Sequence, residues 1–565
     1  MTGRVRTTIE RIAVAPGQRL LVVSDIHGHF DYLVQLLRRL EYDNDDVLIV
    51  VGDLVDKGPE SLRVVQYLMD LCRRHPVYVS MGNVDLARLS MLQEDSPESG
   101  EEFAGFVQWS ERYWGSSLFQ EMLEETGVKP SQLNGQNAAE YRRRLREQFH
   151  EELDFLGSRP TILTAGRYLF VHGGIPTEDL EALEGTDAVP YLKNDAFLDR
   201  SCGFEKYTVV TGHWPACLYR RDREDVSPLF DREKNILCID GGCGLKSAGQ
   251  LNGIIIPDCR SEMKELQWTS YDGFPLATAL ESQEERAADV HITYFDCKVE
   301  LLEENGNMGR IRQLSSGKTM EVPLSWLKTW NSGELCCSDC CDRYLPVSFG
   351  EQLSVIYEAQ KRHYVKKRGE IGWYEGEMRP VQDRLQLIAG APRDRCWRRE
   401  RELAVYDLLE RLNISFQRVD HCEANTMEAC RVIDGALDAV ICKNLFLCNQ
   451  QRTMFYLLMM PEGKKFKTKD LSKQINSARL SFAEAVYMER FLHISPGSVS
   501  VMGLMNDREN RVQLLIDREI LTGEFFGCHP CMNTSSIRLR FTDLLEKFLP
   551  AVHHEPYFVE LPSAL

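Results

Sequence analysis

From Leu20 to Asp258 short apolar runs alternate with segments of helical period. LLVVSD, VLIVVGD and VYVSMGN are continuously apolar before they end on polar residues, as strands buried on both faces are. Between them FDYLVQLLRRL and SLRVVQYLMDLCRR repeat their apolar positions every three or four residues, so the order predicts βαβ units. RYLFVHGG, YTVVTGH, NILCIDGG and GQLNGIII read as further strands, ending in the glycine and polar residues where open α/β sheets place ligands. Helical periodicity from Leu86 to Arg159 predicts a helical insertion, about residues 95–158, covering one side of those strand ends.

The pattern changes after Asp258. ITYFDCKVELLEENGNMGRIRQL alternates about a turn-like Glu-Asn-Gly-Asn and predicts a small β unit near 288–328. Residues 346–398 read as helix interrupted by Gly and Pro, and the charged RDRCWRRERE leads into AVYDLLERL at a boundary near 398. The expected division is 1–262, a β linker region at 263–345, a helical linker at 346–398 and a domain at 399–565, with no internal repeat. The fold class is multidomain, α/β and α+β.

A chain of 565 residues exceeds one hydrophobic core, which agrees with several domains. No apolar run approaches the roughly 18 residues that span a bilayer, so no membrane partner is expected. Met1 to Thr8 is followed by no apolar segment of a secretory signal, and a cytoplasmic location is expected. Eighteen scattered cysteines then read as reduced thiols. A net charge of -18 argues against broad coating of nucleic acid and leaves room only for a local basic groove.

The strand ends carry the chemistry. Ser24-Asp25-Ile26-His27-Gly28-His29, Gly52-Asp53-Leu54-Val55-Asp56-Lys57-Gly58, Gly82-Asn83-Val84-Asp85, Val171-His172-Gly173-Gly174 and Thr211-Gly212-His213 each follow an apolar run. Carboxylate, amide oxygen and imidazole together suit a pair of hard divalent ions such as Mn²⁺, Mg²⁺ or Fe²⁺, about 4 Å apart and bridged by one carboxylate, here Asp53. Asp25 and His27 complete the first site, and Asn83, His172 and His213 the second. The glycines Gly28, Gly58, Gly173 and Gly174 let backbone approach metal and phosphate.

These five segments resemble the calcineurin-like metallophosphoesterases, and Val-His-Gly-Gly with a single Gly-His resembles their phosphoprotein-phosphatase branch, over about residues 18–258. The resemblance implies a β-sandwich flanked by helices, two divalent metals and a phosphorylated substrate: nucleotide, phosphodiester or phosphoprotein. Asp53 and Asp85 are the expected catalytic carboxylates there, and Lys57 and Arg200 the expected phosphate clamps. That branch usually has Arg at the position of Lys57, and a His at Val84 that protonates the leaving group. Without that acid, anhydrides and diesters with low-pKa leaving groups suit the site better than phosphoserine.

In the C-terminal region Lys443-Asn444-Leu445-Phe446-Leu447, the turn Pro496-Gly497-Ser498-Val499-Ser500 and Cys528-His529-Pro530-Cys531-Met532-Asn533-Thr534 follow in order. Together they resemble the prolyl-tRNA editing (YbaK-like) aminoacyl-tRNA deacylases over about residues 400–562. That implies an α/β editing domain which hydrolyses an amino acid wrongly attached to a tRNA acceptor end, without a cofactor. Lys443 and His529 are the expected catalytic residues, and Lys443, Asn444, Gly497, Ser498, His529, Asn533 and Thr534 the expected binding residues. Lys443 would hold the terminal adenosine or its phosphate, with the Gly497-Ser498 backbone and His529 as oxyanion donors. His421 and Thr426 match early family positions, with Cys422 in place of the usual proline. The lysines Lys464, Lys465, Lys467, Lys469 and Lys473 are candidates for tRNA phosphate contacts.

Cys336, Cys337, Cys340 and Cys341 lie too close together in sequence to surround one tetrahedral ion, and the Cys528/Cys531 pair belongs to the deacylase pattern, so neither is assigned a metal. The expected protein is a bifunctional hydrolase. The alternative is a serine/threonine-protein or diadenosine-polyphosphate phosphatase whose C-terminal domain only binds tRNA or an amino acid.

Overall fold

The computed structural model describes residues 5–43, 45–93, 97–220, 222–330, 333–359, 362–381, 387–392, 398–421, 433, 435–437, 439–461, 464 and 467–562. It divides into two units, Met1–Val381 and Gln382–Leu565.

In the first unit the strands Leu20–Val23, Val47–Val51 and Val77–Ser80 run parallel, joined by the helices Phe30–Arg39 and Ser61–Arg74. Every residue of the three strands except Tyr78 is buried, which explains their continuous apolar reading. Leu251–Ile256 and Gln267–Tyr271 extend this sheet on the Leu20–Val23 side. A second sheet orders Ile9–Arg11, Ile162–Ala165, Tyr168–Val171, Thr208–Thr211, Ile236–Cys238 and Leu229–Asp231. The sheets meet face to face through Leu20, Val22, Ile49, Leu163, Phe170 and Leu237, forming a β-sandwich.

Residues 97–157 form the helices Pro97–Trp114, Leu118–Glu125, Ala138–Gln148 and His150–Gly157, joined by loops and a short 3-10 turn. Glu121 anchors them to the sandwich. Its carboxylate accepts hydrogen bonds of 2.8 Å from the Ser61 and Leu62 amides, satisfying the open donors at the start of Ser61–Arg74.

Residues 346–398 are not a helical linker. They carry the strands Gln352–Glu358, His363–Lys367, Glu370–Tyr374 and Met378–Pro380, which form one sheet with Leu276–Ala279. The helical reading gave Gly and Pro the weight of helix breaks, whereas QLSVIYE, HYVKK and EIGWY are rich in β-branched and aromatic residues. Arg368-Gly369, with φ of 49° and 90°, makes the two-residue turn that a tight hairpin needs. The β meander Val299–Asn305, Met308–Gln313 and Thr319–Pro323 belongs to the same region.

This region is fastened to the sandwich. The buried Lys366 Nζ donates to the carbonyls of Ala248 (2.9 Å) and Gly249 (3.2 Å) and pairs with Asp272 at 2.9 Å. The amides of Val226 and Ile371 donate to Gly369 and Glu224 carbonyls. Cys217, Val226 and Ala248 of the sandwich share an apolar core with Ile311, Tyr364 and Trp373.

The second unit is built on a mixed sheet ordered Ile388–Ala389, Phe416–Asp420, Ser535–Arg540, Phe525–Cys528, Val440–Asn449, Phe455–Pro461, Val512–Asp517 and Tyr557–Val559. The helix Glu400–Arg411 buries Val405, Tyr406 and Leu409 against Phe416, Phe446 and Leu457. The strand Ile388–Ala389 already belongs to this sheet, so the unit starts earlier than residue 398.

Candidate active sites

At the ends of the buried strands of the first unit, Asp25, Asp53 and His172 gather with ligand atoms within 4.8 Å of one another. His172 Nε2 lies 3.3 Å from Asp53 Oδ1 and 3.0 Å from Asn83 Oδ1. His213 Nδ1 lies 2.8 Å from the same Asn83 oxygen, and His27 Nε2 3.6 Å from Asp53 Oδ2. The structure thus brings together all six residues expected to ligate metal.

Hydrogen bonds from the backs of the rings assign each imidazole's free nitrogen. His27 Nδ1 donates to the Val55 carbonyl (3.1 Å) and His172 Nδ1 to the Val51 carbonyl (2.8 Å), leaving both Nε2 atoms facing inward. His213 is turned the other way: its Nε2 donates to Asp195 Oδ1 at 2.8 Å, so Nδ1 faces inward. The His213 Nδ1 lone pair therefore meets the Asn83 oxygen, another acceptor, and such a convergence is satisfied by a cation between them. Separations of 2.8 to 3.6 Å also match the roughly 3 Å between neighbouring ligands about 2.1 Å from a hard ion. The residues fit a centre for hard divalent cations.

The electrostatics point the same way. Burial and the nearby Asp240 push Asp25 well above the usual carboxylate range, and burial carries Asp240 up to about 6. Burial alone would also raise Asp53, but His172, His27 and Lys57 overrule it and hold that carboxyl low. Against burial, Asp53 and Asp25 raise His172 up to about 10, so the field of the site favours positive charge. The backbone is committed to this arrangement. Asp25, His27, Asp53, Asp56, Lys57 and His213 all have φ between 47° and 67°, a region that costs a side-chain-bearing residue about 1–2 kcal/mol. Gly212 is required because a Cβ there would overlap Asp25 Oδ2.

Two expected roles change. Asp85 is buried and spends both carboxylate oxygens on backbone amides, Oδ2 on Asp53 and Gly82 and Oδ1 on Leu54, at 2.9 to 3.0 Å. It positions the loops that carry Asp53 and Asn83 and is not a catalytic group facing substrate. Arg200 is exposed and is not a phosphate clamp, because its guanidinium binds Asn194 Oδ1 (2.7 Å) and the Asp195 carbonyl. It ties down the loop whose Asp195 orients His213. Lys57 does reach the centre, with Nζ 2.8 Å from His27 Nε2. Asp195 and Lys193 escaped the sequence reading because they stand outside the strand-end motifs, and Asp240 was passed over although NILCIDGG puts it at a strand end.

A cavity of about 1130 Å³ opens on this centre. Asp53, Lys57, Asn83, Lys193 and His213 line it, together with Tyr294, Phe295, Lys328 and Trp330 of the β region.

In the second unit the parallel pairing of Ile441 with Gly527 puts Lys443 and His529 two residues further along adjacent strands. Lys443 is exposed. His529 Nδ1 donates to the Ser535 carbonyl (3.0 Å), and burial lowers its pKa, so the ring is neutral with Nε2 as an acceptor. That tautomer suits positioning a water and does not suit the expected role as oxyanion donor. Ser536 Oγ bridges His529 Nδ1 (3.2 Å) and His421 Nε2 (2.9 Å), and the His421 amide donates to the Thr534 carbonyl. Gly497, with φ of 90°, turns towards Asn533: a Cβ there would lie 3.8 Å from Asn533 Nδ2. The Ser498 amide closes this turn on the Ser495 carbonyl, and Asn444 Nδ2 donates to the Cys442 carbonyl. Lys464 is spent on the buried Asp517 (2.8 Å) and on Glu519 (2.7 Å), unlike a lysine free for phosphate. Cys422, Thr426 and Lys465 lie outside the described residues.

Residues 18–234 match the family model of the calcineurin-like phosphoesterases, and residues 421–547 that of the aminoacyl-tRNA editing domain. The chain belongs to the first family through its N-terminal unit and to the second through its C-terminal unit, and both are hydrolase families. It is 30% identical over 148 residues to the prolyl-tRNA editing protein ProX of Acetoanaerobium sticklandii, covering 26% of this chain and 90% of that protein. It is 30% identical over 152 residues to the prolyl-tRNA synthetase associated domain-containing protein 1 of Danio rerio, covering 26% of this chain and 82% of that one. The symmetrical bis(5'-nucleosyl)-tetraphosphatase of Buchnera aphidicola is 22% identical over 272 residues, covering 39% of this chain and 89% of the enzyme. The chain is thus a bifunctional hydrolase. Calcineurin-like phosphoesterases use dinuclear metals, and no helix among the described residues is long and apolar enough to cross a membrane.

Proposed function

We propose that the N-terminal unit hydrolyses a phosphoanhydride of a nucleotide and that the C-terminal unit deacylates mischarged tRNA, with both activities in the cytoplasm. The observation that carries the first half is Val84. It offers an aliphatic side chain where the related phosphatases keep an imidazole acid, and its amide is used on Asp53 Oδ1 at 2.8 Å. A phosphate leaving group needs no proton to depart, whereas a serine alkoxide does.

Asp25, His27 and Asp53 would hold one ion, and Asp53, Asn83, His172 and His213 the other, of Mn²⁺, Fe²⁺ or Mg²⁺. Such a pair supplies Lewis acidity and a water of lowered pKa. Lys57 and Lys193 add positive charge beside the phosphate chain, and Asp195 keeps the His213 ring in the ligating tautomer.

For the second half, Lys443 binds the tRNA end and neutral His529 accepts a proton from the attacking water. The prolyl-tRNA editing relatives suggest alanyl-tRNA(Pro) as the substrate to try first.

The test uses the full chain. With Mn²⁺ it is expected to cleave diadenosine tetraphosphate faster than a phosphoserine peptide, and EDTA is expected to abolish this. Deacylation of alanyl-tRNA(Pro) is expected to survive EDTA and to fail in Lys443→Ala. Preference for the phosphoserine peptide would refute the anhydride reading, and no deacylation of any mischarged tRNA would reduce the C-terminal unit to a binding role.

A further inference from the structure

We propose that the β region at 276–381 completes the phosphoesterase cleft with a stacking subsite for the base of a nucleoside polyphosphate. This deepens the anhydride reading above and rests on it. The phosphoesterase family match ends at residue 234, so Trp214 lies within it and Tyr294, Phe295 and Trp330 lie beyond it.

The observations begin at a metal-ligand position. His213 is followed by Trp214, whose ring stacks on Phe295 of the β region, with centroids 5.9 Å apart and planes 24° from parallel. Tyr294 meets Phe295 edge-on at 5.5 Å, and Trp330 lies 6.1 Å from Tyr294. Phe295 is 67% exposed, Tyr294 60% and Trp330 43%, although aromatic residues of this size ordinarily bury most of their surface. All four rings line the cavity that also contains Asp53 and His213.

A phosphate group alone would leave most of that cavity empty. At about 1130 Å³ it stands at the upper end of ligand-sized pockets, room for a base, a sugar and several phosphates. Its lining combines candidate ligands for hard cations, the lysines Lys193 and Lys328, and aromatic faces. Phosphates suit the first two parts. Aromatic faces bind bases by stacking with little regard to which base is present, so the subsite selects for a nucleotide rather than for one particular base.

The exposure of Phe295 and Trp330 makes their truncation compatible with folding. In Phe295→Ala and Trp330→Ala of the full chain with Mn²⁺, kcat/KM for diadenosine tetraphosphate relative to tripolyphosphate, which has no base, is expected to fall about tenfold, with the loss in KM. Calorimetric binding of diadenosine tetraphosphate to the EDTA-treated protein is expected to weaken by a similar factor in Phe295→Ala. Equal ratios and equal binding in variants and wild type would overturn the subsite. Dependence on Phe295 that appears for a phosphoserine peptide and not for the dinucleotide would overturn it too. If the wild type cleaves neither anhydride but binds the dinucleotide in a Phe295-dependent way, the subsite stands and the anhydride reaction fails.

Discussion

His213 is oriented by a carboxylate 18 residues upstream, on a loop held in place by Arg200. Carboxylates behind metal-bound histidines fix ring and tautomer, so Asp195→Ala is expected to weaken Mn²⁺ binding about 10- to 100-fold in a metal titration. Unchanged affinity would show that packing alone holds the ring. Glu121 is a residue of a different kind, since it supports the fold. Burial pushes its carboxyl up to about 7 from 4.5, against the pull of the Leu62 and Ser61 amides. A carboxyl raised in the folded state keeps its proton longer there, so this contribution is full below about pH 4.5 and lost as pH rises through about 7. Glu121→Gln is therefore expected to flatten the fall in stability between pH 5 and 7.5 in urea unfolding; parallel curves would remove Glu121 from the pH response.

At the scale of elements, the hairpin of His363–Lys367 and Glu370–Tyr374 is the clasp between the β region and the sandwich. Its turn residue Gly369 has φ of 90°, and a Cβ there would lie 2.6 Å from Ser227 Cβ and 2.7 Å from the Ser227 amide nitrogen. Gly369→Ala is expected to cost about 1–3 kcal/mol in chemical denaturation. Gly317→Ala is the control, with a similarly positive φ of 69° and nothing within 4 Å. If both substitutions cost the same, backbone strain explains the effect and the clasp does not.

At the scale of the whole molecule, the division at Val381 matters more than the limit of the phosphoesterase family match. Residues 1–381 and 382–565 are each expected to express in soluble form and melt cooperatively, the first with the EDTA-sensitive activity and the second with the EDTA-resistant one. A chain ended at 272, after the last strand of the sandwich, would expose Cys217, Val226 and Ala248, which the β region covers, and is expected to aggregate. Soluble yield and thermal melts of the two N-terminal truncations decide the matter; equal behaviour would make the β region an independent appendage.

The six residues that converge at the strand ends were legible in the amino-acid sequence because each follows a buried strand, and a strand buried on both faces writes itself as an apolar run with its polar residue at the end. The βαβ order and the helices over 97–157 were legible for the same reason of periodicity. Short-range pattern was silent on contacts between distant segments. The β character of 346–381 was written locally in its β-branched and aromatic runs, whereas the pairing that joins those strands to Leu276–Ala279 crosses a long gap in sequence. Whether Asp85 and Arg200 face substrate or support a loop depended on which backbone groups the fold brings to them. The tautomer of His529 depended on the Ser535 carbonyl, and the stacking partner of Trp214 on the fold bringing Phe295 against it. Residue type and spacing determined what chemistry this chain carries, and tertiary structure decided which atoms of those residues remain free to perform it.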